Sequence, residues 1–135
     1  MYRSDTPGFS LLELLITLSI VAILASITVP SYSGYVARAR RTDAMSALLQ
    51  IQLAQVRWRA THRDYVDNLT ALGWSDAQSP DGHYGVRILR SNAADFLALA
   101  SPRGAQQTDA CGVFAISAQG PVYLAPYAGV DCWNR

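Results

Sequence analysis

The chain has 135 residues, half of them hydrophobic, with eleven basic side chains against ten acidic ones, a formal net charge of +1 and two cysteines. Beyond one membrane-length helix, that length leaves enough sequence for a single small domain, and no Gly- or Ser-rich linker divides it. So small a net charge does not announce nucleic acid by itself, no block of like charges resembles a solvated tail, and no internal repeat is visible; every basic residue is Arg.

The first element is an apolar run from Phe9 to Val29, closed by Pro30. At ~1.5 Å per helical residue it is long enough to cross a hydrocarbon core of ~30 Å, so it reads as a transmembrane helix. Glu13 lies near its start. A carboxylate inside a spanning helix costs roughly a few kcal/mol unless it is neutralised or paired, which makes Glu13 a candidate functional residue whose cation should come from another chain. A cleaved secretory signal would need a small-residue cleavage site after a shorter apolar core and a basic leading segment, and neither is present in convincing form.

The segment Gly8-Phe9-Ser10-Leu11-Leu12-Glu13 resembles the type IV prepilin N-terminus, in which a short polar leader ends at Gly, an aromatic follows, and Glu comes four residues later. The resemblance implies that a membrane prepilin peptidase cuts between Gly8 and Phe9 and methylates Phe9. It implies that Glu13 meets the N-terminal amine of a neighbouring subunit, a pairing whose loss would leave a buried charge at several kcal/mol. The leader carries one basic residue, Arg3, partly offset by Asp5. The implied division is a leader over 1–8, a transmembrane and fibre-core helix over 9–30, and a periplasmic head over 31–135. Implied partners are other pilins in a helical fibre, the peptidase, inner-membrane lipid and the inner-membrane assembly machinery; no cofactor is implied. The protein would sit in the inner membrane before assembly and in an extracellular fibre afterwards. Counting the flanking charges Arg38, Arg40 and Arg41 would instead place the C-terminal side in the cytoplasm. The cysteines favour the family's orientation, because Cys111 and Cys132 suit one disulfide in an oxidising compartment.

From Ser31 to about His62 the chain is rich in Ala, Leu, Gln and Arg and lacks Pro, which predicts a continuing helix. Pro30 removes a backbone donor and Gly34 loosens the same region, so a kink or local melting is expected there. Met45, Leu48, Leu49, Gln52 and Val56 form one stripe, extended by Ala47, Ile51, Ala54 and Trp58, and this stripe is expected to carry a sheet. Arg57, Arg59 and Arg63 fall elsewhere. Arg38, Arg40, Arg41 and Asp43 read as a neck, either solvated or paired with neighbouring subunits.

The stretch Asn68 to Trp74 predicts a helical turn ended by Gly73, and Ser79-Pro80-Asp81-Gly82 a tight turn. Strands are expected at His83 to Leu89, Asp95 to Ser101 and Gly112 to Ser117, as an antiparallel meander. A short fourth strand is expected at Val122 to Leu124, confined to an edge by Pro121 and Pro126. The fold is therefore α+β: a long N-terminal helix, kinked near Pro30, on a small antiparallel sheet with a Cys111–Cys132 loop worth ~3 kcal/mol. Cys111-Gly112 and Asp131-Cys132-Trp133 resemble the minor pilins of the PilE group. That resemblance implies a structural pilus subunit, with motility, adhesion, DNA uptake and secretion as the functions such fibres serve.

Catalysis is disfavoured, because His62 and His83 are the only histidines and lack metal-ligand spacing with each other or with the cysteines. Asp76 and Asp81 could be pictured around calcium, as in type II secretion pseudopilins, but no dense oxygen-ligand loop accompanies them. DNA binding is the main alternative to a purely structural role. Arg87 and Arg90 near Tyr84, Arg103 with Gln106 and Gln107, and Trp133 in the tail supply cations and stacking surfaces.

Overall fold

The computed structural model describes residues 8–134, which divide into two compact units, one ending at Val36 and the other beginning at Ala37. Leader positions 1–7 lie outside the described residues, as do the side chains of Pro30 and Ser31. One helix, α1 (Leu11–Arg59), contributes to both units. Its first turn is closed by Ser10, whose hydroxyl accepts from the Leu12 N–H at 3.3 Å and whose carbonyl accepts from the Leu14 N–H at 3.2 Å. The backbone is helical through Pro30 and Gly34.

In the second unit, α1 packs on a four-stranded antiparallel sheet ordered β1 (Tyr84–Ser91), β2 (Phe96–Pro102), β3 (Phe114–Ser117) and β4 (Gly120–Pro121), and a short helix α2 (Val130–Trp133) follows. β3 begins two residues later than the sequence predicts because Gly112 sits at φ +60°, a left-handed turn conformation that cannot extend a strand. The fourth strand also departs from expectation. Gly120 at φ +123° turns the chain directly after β3, so pairing starts at Ser117 with Gly120 and Ile116 with Pro121 instead of at Val122 to Leu124. Val122 then adds only one bond, from its N–H to the Ala115 carbonyl at 2.9 Å.

The core lies between α1 and one face of this sheet, where Tyr84, Val86, Phe96, Ala98, Ala100, Phe114 and Ile116 meet Ala44, Ala47, Leu48 and Ile51. Each fully buried large apolar side chain contributes roughly 1.5–3 kcal/mol. The helix face is rotated from the predicted stripe. Ala44, Ala47, Leu48, Ile51 and Gln55 face inward, whereas Leu49, Leu53 and Val56 are at least half exposed. Gln55 belongs inside because its amide pairs in both directions with the backbone of Val66, at 2.6 and 3.1 Å.

Tyr84 is fully buried, edge-on to Phe114 with centroids 5.9 Å apart, and its hydroxyl accepts from Gln106 Nε2 at 3.0 Å. Burial pushes its pKa up from 10.0 to about 12. The folded value lies above the unfolded one, so the stability this group contributes is complete below about pH 10 and lost as pH rises through 12. Denaturation midpoints measured across that window should fall, by up to ~2–3 kcal/mol in stability, and Tyr84→Phe should flatten the fall.

Candidate functional site

In the first unit every described side chain from Phe9 to Val29 is exposed, with Phe9 at 80% and Val29 at 66%. Among the described residues, α1 alone is long and apolar enough to cross a membrane. Gly8 and Phe9 precede the helix, and Glu13 lies exposed in its first turn. Its hydroxyls follow a pattern that composition did not reveal. Thr17, Ser19, Ser26 and Thr28 each donate to a carbonyl three or four residues back, at 2.7–2.9 Å. A hydroxyl satisfied in this way needs no water, so these polar residues are compatible with an apolar surrounding. Glu13 carries the only formal charge between Phe9 and Val29.

The outward face of α1 in the second unit is also apolar. Met45, Leu49 and Leu53 line an open depression of about 470 Å³ together with Thr42 and Ser46.

Two of the supposed neck charges, Arg41 and Asp43, are bound within the second unit. Arg41 makes a two-pronged bond to Asp109, with Nη2 to Oδ1 at 2.6 Å and Nε to Oδ2 at 2.9 Å, and that bond raises the guanidinium pKa. Asp43 is buried at 4% exposure and accepts from the Ser79 hydroxyl, the Asp81 N–H at 3.0 Å and the His83 N–H at 3.1 Å. It therefore holds the 79–82 turn against the helix. Gln106 is likewise buried, donating to the Ala37 carbonyl at 2.9 Å. Cys111 and Cys132 form the expected disulfide, with Cα atoms 5.8 Å apart.

The residues suggested for DNA contact separate into two groups. Arg87 pairs with Leu99 across β1 and β2, which puts it on the sheet face opposite the core. A bulge between Ile88 and Arg90 sets Arg90 opposite Leu97, on that same face; unbroken alternation would have turned it toward the core. Arg103 lies across Gly85, its Cδ 3.5 Å from where a Cβ would stand. All three guanidinium residues are exposed. Only Arg90 has an acidic neighbour, Asp95 at 4.0 Å. The aromatic partners are not with them. Tyr84 points into the core, and Trp133 packs edge-on to Phe114 and Tyr123 at 5.4 and 6.2 Å, because the disulfide pins the adjacent Cys132 to the domain.

Residues 3–29 match the family model of the prokaryotic N-terminal methylation motif, and residues 30–115 match one described as "Type IV minor pilin ComP, DNA uptake sequence receptor". The chain belongs to the type IV pilin family. Similar pilins include a fimbrial protein of Neisseria meningitidis, 30% identical over 94 residues, which are 70% of this chain and 55% of that protein. The type IV major pilin protein PilE of Neisseria gonorrhoeae is 32% identical over 85 residues, covering 63% and 51%. The type IV major fimbrial protein FimA of Dichelobacter nodosus is 43% identical over 93 residues, covering 69% and 58%. This pilin spans about half the length of the curated relatives it matches.

Proposed function

We propose that this chain is a minor subunit of a type IV pilus, cut between Gly8 and Phe9, methylated at Phe9 and assembled through its N-terminal helix. The observation that carries this reading is the exposed apolar run from Phe9 to Val29, with Glu13 in the first turn of its helix, in a segment matching the methylation motif. Such a surface requires cover, first by inner-membrane lipid and then by the helices of other pilins. Glu13 would receive the amine of a neighbouring Phe9, and Pro30 with Gly34 would supply the bend or local unwinding that packing demands. The outward stripe of Leu49, Leu53 and Val56 extends the contact surface into the head, which we place in the periplasm before assembly. The reading assigns a structural role and no catalytic residues.

Intact mass measured on sheared surface fibres and on the membrane fraction tests it. A mature species beginning at methylated Phe9 is expected in the fibres; unprocessed protein confined to the membrane would overturn the reading. Glu13→Ala should still insert, but its share in the fibre should fall at least ~tenfold, since an unpaired amine would be left in a low-dielectric bundle.

DNA contact is a second reading, favoured by the exposed Arg87, Arg90 and Arg103 on one sheet face and by the receptor description of the model matching residues 30–115. Phosphate contacts by these side chains predict duplex affinity that falls steeply with added salt. Arg87→Ala combined with Arg103→Ala should reduce the slope of log K against log salt by ~2. An unchanged slope would remove these residues from any DNA surface.

A further inference from the structure

The second unit carries an open depression of about 520 Å³ that the assembly and DNA readings leave unused, lined by Trp74, Gln50, Asp76, Gln78, Ser79 and Asp81 among others. That volume falls within the range of small-molecule sites. Its two walls are preformed. On one side, Trp74 packs partly against the core, and its backbone N–H donates to the Leu69 carbonyl at 3.1 Å just after Gly73 turns through φ +87°. On the other, the 79–82 turn is tied down by Asp43 and closed by the Gly82 N–H on the Ser79 carbonyl at 2.9 Å.

The lining chemistry narrows the ligand. No Arg or His borders the depression, which disfavours an anion. Asp76 and Asp81 are two carboxylates, and no third metal-type ligand joins them among the described residues. A purely cationic ligand would call for acceptors alone, yet Gln78 brings a carboxamide that both donates and accepts, and Gln50 adds another whose Nε2 has one hydrogen on Ser46 Oγ at 3.0 Å and a second to give. Acceptor-only carboxylates, two-way amides and an indole match a neutral molecule with vicinal hydroxyls along one edge and an apolar C–H face. We propose that this depression is a saccharide-binding site, with Trp74 as the platform and Asp76, Asp81 and the two glutamines as hydroxyl partners. Preformed walls lower the ordering cost of filling it.

The test uses the full-length protein in a detergent without a sugar headgroup, titrated separately with maltotriose, chitotriose, lactose and arginine methyl ester. The readout is the indole N–H resonance of Trp74, assigned by its loss in Trp74→Phe. A saturable shift with at least one saccharide, at a Kd of about 1 mM or tighter, is the expected result. Asp76→Ala, at an exposed position outside the core, should weaken it at least ~tenfold without altering the folded spectrum. The proposal is overturned if none of the three saccharides moves the resonance, if only arginine methyl ester does, or if Asp76→Ala binds like the wild type.

Discussion

Asp43→Ala is expected to destabilise the second unit by ~3–4 kcal/mol, read as a lowered denaturation midpoint with unchanged slope. The side chain is almost fully buried and accepts three hydrogen bonds, from one hydroxyl and two backbone N–H groups. Truncation would strand those donors where water reaches them poorly, and an unsatisfied buried donor costs about 1–3 kcal/mol. Local rearrangement would recover part of the sum, which is why the total stays well below three full penalties. Asp43→Asn should fall between the two, because its single carbonyl oxygen cannot serve all three donors. An alanine variant melting with the wild type would mean that the turn holds itself.

Opening the disulfide should cost ~3 kcal/mol, the value expected for a bridge spanning 21 residues through restriction of the unfolded chain. Cys111 is itself 9% exposed and belongs to the core cluster, so Cys111→Ser adds a misplaced hydroxyl where Cys111→Ala adds only a small void. The double alanine variant is therefore the cleaner comparison. Thermal unfolding of the wild type with and without reductant should reproduce most of the same loss. A melting temperature indifferent to both would show that the bridge contributes nothing.

The apolar N-terminal run, the first three strands and the cysteine pair were legible because each signal is local: a period, a turn residue, a count. The inward helix face was harder to phase. Apolar residues occur on both sides of that helix, and the outward set of Leu49, Leu53 and Val56 pulls a pattern-based estimate toward solvent. Arg41 and Asp43 looked like surface charges because the groups that bind them lie far along the chain, Asp109 being 68 positions from Arg41 and His83 being 40 from Asp43. Gln106, read with Arg103 as part of a contact surface, is instead buried by a bond to Ala37, 69 positions away, and Gln55 was grouped with no face although its partner Val66 is only 11 residues on. The arginines were read as one surface with Tyr84 and Trp133, but the core claims both aromatic rings. Whether Arg90 joins Arg87 depends on one extra residue in a strand, and alternation alone would have sent it the other way.

The clasp around Ala37 and Arg41 also has a mechanical meaning. Tension carried along α1 enters the second unit at Ala37, where Gln106 holds the backbone carbonyl, and one turn later Arg41 grips Asp109. Both anchors sit in the short segment just before Cys111, which is bonded covalently to Cys132 near the chain's end. Load would thus pass from the helix through two side-chain links into a closed covalent loop. In a pilin built this way the start of the second unit's helix is tied to the disulfide loop by these two links, as well as to the sheet by the core packing of Ala44, Leu48 and Ile51.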